Sequence, residues 1–230
     1  MSGGIEQRLQ QVRERIRLAE AAAGRAPGDV TLLAVSKTHP ADHVRQAWAA
    51  GQRAFGENYL QDALAKQREL RDLDIEWHYI GRIQSNKTRP LAESFQWVHG
   101  LTDAKHARRL NDQRPAELPP LNLCIQVNVS GEQSKGGLAP DQVAPLIDIC
   151  RELPRVRLRG LMAIPAPADS SAARRAPLRE LRLLRDRLAS PELPLETLSM
   201  GMSGDLEEAI MEGATLVRIG TAIFGPRDYG

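Results

Sequence analysis

The sequence contains little of what several classes of protein depend on. Aromatic residues make up only 4% of the 230-residue chain, which argues against surfaces that stack nucleic acid bases. Lys plus Arg number 31 and Asp plus Glu 29, so no strong field attracts nucleic acid or a membrane. No run of about 18 apolar residues occurs, and the first residues lack the apolar segment of a signal peptide. We therefore expect a protein that binds neither nucleic acid nor membranes.

Cysteine is scarce as well. Cys124 and Cys150 both lie in apolar segments. We interpret them as buried free thiols, rather than a disulfide, in a reducing cytoplasm. The histidines show no spacing with Asp, Glu or Cys that is typical of a metal site. Nucleophile elbow, Walker, dinucleotide and CxxC motifs are also absent. The sequence thus predicts a cytoplasmic protein without a metal.

What the sequence does contain is a regular alternation of helical and strand-like patterns. Residues 5–22 place an apolar residue at every third or fourth position, which predicts one face of a helix. Short apolar segments then alternate with segments of helical pattern. The eight predicted strands are 30–36, 54–58, 76–81, 95–101, 121–129, 158–164, 195–200 and 216–220.

This alternation predicts an α/β fold, a (β/α)8 TIM barrel in which residues 1–230 form one domain. A doubly wound open sheet is the alternative. Residues 165–177, rich in Ala, Pro and Ser, are predicted to be the longest loop. The arginine-rich run 179–187 is interpreted as the solvated face of a helix, with anion binding as the alternative. Residues 131–137, which include Lys135, are predicted to form a mobile loop that could cover a ligand.

The last two predicted strands each run into a turn that contains glycine. In barrels of this kind, the turns after strands seven and eight often hold a phosphate. Ser203 and Gly204 follow the seventh strand and are predicted to open a helix, and Gly220 and Thr221 follow the eighth. Together they predict an anion site, although a plain helix cap at Ser203 is the alternative. Arg218 lies on the strand face of Gly220 and can reach the same ligand or form an ion pair.

Lys37 is the predicted reactive group. It ends the first predicted strand, where burial favours the neutral amine, which can form a Schiff base with an aldehyde. An ion pair with Glu57 or Asp205 is the alternative. Asn58 and His78 end the next two strands at the same rim of the barrel, although a lone histidine in a strand is more often a core residue.

The same segments occur in a known family. Through these segments, which span its whole length, the chain resembles the YggS/PROSC family of pyridoxal 5′-phosphate (PLP) homeostasis proteins. Tyr79 and Ile83 stand where Phe and Leu are commoner, and both changes are conservative. The shared motifs are AVSK at 34–37, FGENYLQD at 55–62, WHYIGRIQSNK at 77–87, VNVSGEQSKG at 127–136, GLM at 160–162, LSMGMS at 198–203 and VRIGTAIFG at 217–225.

The resemblance implies a fold and a cofactor. The fold would be that of the N-terminal barrel of alanine racemase, which is fold type III among PLP proteins. The cofactor would be PLP, held as a Schiff base on Lys37. The resemblance also assigns Ser203, Gly220 and Thr221, with Gly204 as a further candidate, to the phosphate, Arg218 to the pyridine nitrogen, and Asn58 and His78 to the surroundings of the ring.

The resemblance implies intracellular PLP homeostasis, by binding, supplying or buffering the cofactor, and no catalytic residue is predicted. Racemases of this fold take a second base from a tyrosine beyond the barrel, whereas the tyrosines here are Tyr59, Tyr79 and Tyr229. One face of a substrate is then left without a base. The alternatives are a racemase-like PLP enzyme with weak activity and, on fold alone, a class I aldolase. We expect a monomer whose partners are PLP and apo-enzymes that need it.

Overall fold

The centre of the molecule is a closed barrel of parallel strands. The computed structural model describes residues 4–131 and 136–226. The strands pair in chain order, and the eighth pairs with the first, so the predicted (β/α)8 barrel is confirmed and an open sheet is excluded. The strands are β1 (Thr31–Val35), β2 (Ala54–Glu57), β3 (Glu76–Tyr79), β4 (Trp97–Leu101), β5 (Leu121–Gln126), β6 (Val156–Met162), β7 (Thr197–Ser199) and β8 (Leu216–Ile219).

Helices surround this barrel. The first helix precedes β1, and each strand is followed by a helix before the next strand begins, as the sequence predicts. Short 3-10 turns at Ser85–Lys87 and Pro140–Gln142 lead into two of the helices. The helices are α1 (Ile5–Ala22), α2 (Ala41–Ala49), α3 (Leu60–Glu69), α4 (Thr88–Ser94), α5 (Ala104–Gln113), α6 (Val143–Arg151), α7 (Ser171–Leu188), α8 (Leu206–Met211) and α9 (Thr221–Phe224).

Helix α1 fixes the last part of the chain. Its predicted apolar face is buried and packs against α8 and α9. Arg15 donates to the carbonyl oxygen of Ser203 at 3.2 Å, and Arg8 donates to that of Ile223 at 2.6 Å. The turns after β7 and β8 are therefore held from outside the barrel by the first helix.

Helix α7 begins earlier than the sequence suggests. The predicted loop 165–177 is wrong from residue 171 onward, because Ser170 caps a helix that contains Pro177. Proline removes a backbone hydrogen bond inside a helix. Packing outweighs that cost, since Leu178, Leu181 and Leu184 are buried against the barrel.

The arginine-rich run is more than a solvated face. Within the run 179–187, Arg179 and Arg182 bind the carboxylate of Glu212, at 3.1 and 3.5 Å. Just before the run, Arg175 binds the same carboxylate at 2.7 Å and Arg174 binds Glu208 at 2.7 Å. Burial alone would raise the pKa of Glu212, but the hydrogen bonds from Arg179 and Arg175 outweigh it and lower that pKa. These ion pairs join α7 to α8.

Several smaller expectations concern what the fold contains. Cys124 and Cys150 are buried free cysteines, as predicted. Within residues 4–131 and 136–226, no group of His, Cys, Asp and Glu is arranged to hold a metal ion. None of the described helices has the length and apolarity needed to cross a membrane. Of the predicted loop 131–137, residues 132–135, including Lys135, lie outside the described part.

Candidate functional site

A cavity opens at the carboxyl ends of the strands. Its volume is about 300 Å³, at the lower end of the usual range for small-molecule sites. Residues just beyond six of the strands contribute to it. The lining consists of Val35, Lys37, His39, Asn58, Ile80, Ile164, Met202, Ser203, Gly204, Arg218, Gly220 and Thr221.

The structure brings most of the predicted site residues together. His78 differs: it lies in the barrel interior and does not belong to the described lining of the cavity. Ile80 is two residues further along, on the same face of the chain, and takes the rim position instead. The predicted residues that line the cavity are Lys37, Asn58, Ser203, Gly204, Arg218, Gly220 and Thr221.

The backbone turns sharply around Lys37. The N–H of Ser36 donates to Gly56 at 3.0 Å, and the N–H of His39 donates to Ser36 at 3.1 Å. Thr38 has φ 66°, a conformation that is rare for a β-branched residue. Strained residues of this kind cluster at functional sites, where surrounding structure holds them in place. Lys37 is thus presented at the rim by a constrained turn.

A buried polar cluster lies beside this turn. Lys66 of α3 donates to Glu57 Oε1 at 2.6 Å and to the carbonyl oxygen of Ser36 at 2.7 Å. Ser36 Oγ donates to the same carboxylate oxygen at 2.6 Å. Burial raises the pKa of Glu57, and the charge of Lys66 acts against that rise. Glu57 therefore pairs with Lys66, and the cluster ties the residue before Lys37 to the residue before Asn58.

The Asn58 side chain brings an unsatisfied oxygen to the site. Its Oδ1 is buried without a hydrogen-bond partner among the described residues. Buried oxygens of this kind normally accept a hydrogen bond. The backbone here is crowded, because a Cβ at Gly81 would lie 2.3 Å from the carbonyl oxygen of Asn58. A ligand donor would satisfy Asn58 in a position that the surrounding chain holds firmly.

The turn after β7 is built differently from the prediction. The helix expected to open at Ser203 and Gly204 begins instead at Leu206, because Asp205 Oδ1 accepts from the N–H of Met202 at 2.6 Å and ties the preceding turn. Ser203 and Gly204 therefore lie in this turn, where both line the cavity. Asp205 thus stabilises this turn through a backbone hydrogen bond.

The turn after β8 lies against the end of β1. A Cβ at Gly220 would lie 3.1 Å from the carbonyl oxygen of Val35, so a larger residue would require the backbone there to shift by a few tenths of an ångström. This close approach brings Gly220 and Thr221 alongside the segment that carries Lys37. The predicted pair of turns and the predicted amine thus share one cavity.

Arg218 is buried in the cavity wall. Its Nη1 donates to the carbonyl oxygen of Ser199 at 2.6 Å and to Ser199 Oγ at 2.9 Å, and its Nη2 donates to Ala163 at 2.8 Å. Burial lowers the pKa of Arg218 to about 10, so it remains a cation near neutral pH. Of the two predicted roles, contact with the ligand site is the one this geometry favours.

Two features of the site escaped the sequence reasoning. His39 lines the cavity, and its ring centroid lies 5.2 Å from that of Phe224. Its position in the loop after β1, two residues beyond Lys37, was the signal that could have identified it. The pairing of Glu57 with Lys66 left no such signal, because no spacing rule links a strand end to the buried face of the next helix.

Comparisons with known proteins agree with this geometry. The profile of the family "Alanine racemase, N-terminal domain" matches residues 7–228. A protein of Pseudomonas aeruginosa named pyridoxal phosphate homeostasis protein is 61% identical over 226 residues, covering 98% of this chain and 97% of the relative. The structure of PipY from Synechococcus elongatus with PLP bound is 39% identical, with a TM-score of 0.85, and the match covers 96% of this chain and 100% of PipY.

More distant structures share the barrel. Alanine racemase of Clostridium difficile superimposes with a TM-score of 0.75 at 14% identity, covering 96% of this chain and 57% of the racemase. At this identity the likeness extends to the fold alone.

Proposed function

Because the chain belongs to the family of pyridoxal phosphate homeostasis proteins, we propose that it binds PLP in the rim cavity as a Schiff base on Lys37 and serves intracellular PLP homeostasis. The observation that carries the proposal is the lining of this cavity. It combines an amine, a buried guanidinium and two glycine-containing turns with hydroxyl groups. The amine can react with an aldehyde, the guanidinium can donate a hydrogen bond to a pyridine nitrogen, and the two turns can bind a phosphate.

The described residues fit the cofactor at every part of it. When bound, PLP supplies an aldehyde that accepts an amine and a conjugated ring. Lys37 provides the amine. Ser203 and Thr221 provide hydroxyl donors beside Gly204 and Gly220, where the absence of side chains allows a phosphate close to the backbone. The unpartnered oxygen of Asn58 is available to a donor on the ligand.

Arg218 sets the electronic character of the site. A guanidinium donates hydrogen bonds and cannot accept them. A pyridine nitrogen facing Arg218 must therefore act as the acceptor and stay unprotonated. An unprotonated ring withdraws electrons weakly, which suits a protein that holds PLP rather than one that turns substrates over.

Loss of one hydroxyl from either turn should weaken PLP binding. We expect Ser203→Ala and Thr221→Val each to cost about 1–2 kcal/mol, because each removes a charge-assisted hydrogen bond to the phosphate. Absorbance titration with PLP measures the affinity. Thr102→Val, at the same rim but outside the cavity lining, is the matched control. Unchanged affinity in both turn variants would place the anion site elsewhere.

We also propose that the protein does not catalyse turnover of amino acids. Curated relatives that match nearly the whole chain are named for PLP homeostasis, whereas the racemases share only the fold. Membership of the family also removes the ground for the aldolase alternative. Racemisation by two bases needs a proton-transfer group on each face of the substrate. Besides Arg218, the basic side chains in the described lining are Lys37 and His39.

Deuterium release from α-deuterated amino acids tests this absence. We expect the PLP-loaded protein to release deuterium no faster than free PLP at the same concentration, because Arg218 weakens the ring as an electron sink. Faster release that both Lys37→Ala and His39→Gln abolish would establish the racemase-like alternative instead. Proton NMR of the recovered amino acids measures the exchange.

We further propose that residues 1–230 act as one PLP-binding domain, as a cytoplasmic monomer that passes PLP to apo-enzymes. The uninterrupted family match over residues 7–228 supports a single unit. The buried free thiols of Cys124 and Cys150 suit a reducing compartment. Light scattering of the purified protein tests the monomeric state, and transfer of PLP to a stoichiometric apo-enzyme tests delivery.

A further inference from the structure

A line of polar side chains crosses the barrel interior from Arg218 to the opposite end. Arg218 Nη1 lies 2.9 Å from Ser199 Oγ. Ser199 Oγ lies 2.8 Å from His99 Nδ1, and His99 Nε2 lies 2.9 Å from His78 Nδ1. His78 Nε2 lies 2.8 Å from Glu76 Oε1. We call these residues the trans-barrel chain.

The two ends of the trans-barrel chain reach different surfaces. Arg218 lines the rim cavity at the carboxyl ends of the strands. Glu76 begins β3, its side chain is 48% exposed, and it lines a separate cavity with Arg13 and Gln52. The residues of the trans-barrel chain between these two ends are buried: Ser199 and His99 have no exposed surface, and His78 is 1% exposed.

If both rings are neutral, the two end groups fix the direction of every hydrogen bond between them. A guanidinium can only donate and a carboxylate can only accept. Glu76 therefore accepts a hydrogen bond from His78 Nε2–H. Nδ1 of a neutral His78 is then the acceptor for His99 Nε2–H. His99 Nδ1 must then accept from the hydroxyl of Ser199, whose oxygen accepts from Arg218. For two neutral rings, a single arrangement of protons satisfies all four contacts, and in it both rings are protonated at Nε2.

The electrostatics favour the neutral rings that this arrangement needs. Burial lowers the pKa of His99 well below its ordinary value, and nearby positive charge, from Arg218 and from His78 when it is protonated, lowers that pKa further. Burial also lowers the pKa of His78, despite the opposing effect of Glu76. The hydrogen bond from His78 lowers the pKa of Glu76 and keeps it ionised.

The neighbouring groups do not disturb this arrangement. Trp97 stacks on His78 with ring centroids 5.2 Å apart, and the Arg159 guanidinium lies over the Trp97 ring, 5.5 Å from its centroid. The positive charge of Arg159 further favours ionised Glu76. Burial raises the pKa of Cys124 to about 12, so this thiol stays neutral. Asp205 favours the charged form of Arg218.

We infer that Ser199, His99, His78 and Glu76 are positioning residues for Arg218, and that their directed hydrogen bonds hold its guanidinium at the cavity wall. The direction of the hydrogen bonds in the trans-barrel chain follows from the protein's own residues. Its effect on a bound ligand rests on the function proposed above. The chain also links the ligand site to an exposed carboxylate at the far end of the barrel. A change in the protonation of Glu76 can thereby alter the hydrogen bonds that orient Arg218, although Glu76 lies outside the cavity.

Histidine NMR of the protein without PLP tests the direction. Long-range ¹H–¹⁵N correlation of ¹⁵N-histidine-labelled protein should show two rings as neutral Nε2–H tautomers at neutral pH. His78→Gln and His99→Gln assign the two signals. Glu76→Gln should leave the fold intact, because the residue is half exposed, and should give His78 a mixture of tautomers. An Nδ1–H tautomer or an imidazolium at either ring of the unmodified protein would overturn the inference.

PLP titration tests the effect on the ligand. Ser199→Ala should weaken PLP binding about tenfold and shift the visible absorption maximum, because Arg218 loses a hydrogen-bond acceptor and its orientation. Glu76→Gln, remote from the cavity, should weaken binding roughly threefold. Thr197→Val removes a hydroxyl group from a buried residue of β7, the strand that carries Ser199, but Thr197 is not part of the trans-barrel chain. The PLP affinity and the absorption maximum of this variant should match those of the unmodified protein.

The two proposals fail in different ways. If the unmodified protein does not bind PLP, the proposed function fails while the tautomers can still be read. If it binds PLP and both Ser199→Ala and Glu76→Gln retain its affinity and absorption maximum, the positioning role is wrong.

Discussion

Lys37→Ala is expected to abolish covalent attachment of PLP. Lys37 is the lysine found in the described lining of the cavity, and the turn around it, strained at Thr38, presents its amine there. Without this amine the aldehyde has no partner at the site, so the visible absorption band of the bound cofactor should disappear. Binding through the phosphate turns can persist at lower affinity, because their hydroxyl groups are unchanged.

Borohydride reduction followed by peptide mapping identifies the modified residue. The unmodified protein should carry the reduced cofactor on Lys37, and Lys37→Ala should carry none. Lys105→Ala is the matched control, because Lys105 is exposed on α5 and should leave labelling unchanged. A covalent adduct that survives Lys37→Ala would assign the cofactor to another lysine.

Lys66→Met is expected to destabilise the fold by about 3–5 kcal/mol, because it leaves the buried carboxylate of Glu57 without its cation. Chemical denaturation measures the free energy of unfolding. Arg45→Met breaks an exposed ion pair with Asp72 and should cost less than about 1 kcal/mol. The contrast separates the burial of the charge from the mere loss of an ion pair.

A second substitution distinguishes an unpaired charge from lost packing. Glu57→Gln combined with Lys66→Met should recover most of the stability, because no charge then remains buried. The pH dependence gives an independent check. In Lys66→Met the folded-state pKa of Glu57 should rise further above its unfolded value, so the loss should shrink as pH falls through that pKa. A loss that is equal in the double variant and independent of pH would contradict this explanation.

Most of the site could be predicted from the sequence because the carboxyl ends of all strands in a parallel barrel lie at the same rim. Any residue just beyond a strand lies at one rim, so Lys37, Asn58, Ser203 and Gly220 could be grouped without a structure. The apolar face of α1 was equally readable, since its period alone predicts a buried side.

The differences between the sequence-based expectations and the structure have a different physical origin. The depth of His78 depends on how far β3 is displaced along its neighbours, and strand composition does not encode that displacement. The start of α7 depends on leucines that pack on the barrel, which outweigh the local preference of Pro177 for a loop. The Glu57–Lys66 pair requires a strand and a helix to be in place before either charge can be buried.

The close contact between Gly220 and Val35 has a consequence for biosynthesis. The segment carrying Lys37 is made early, whereas its neighbour in the barrel, β8, is among the last strands to be translated. A nascent chain that has not yet supplied β8 has neither a closed barrel nor Thr221. Because the proposed PLP site includes Arg218 and Thr221, we expect capture of PLP to follow translation of β8. Ribosome-bound intermediates that end before this strand should not retain the cofactor.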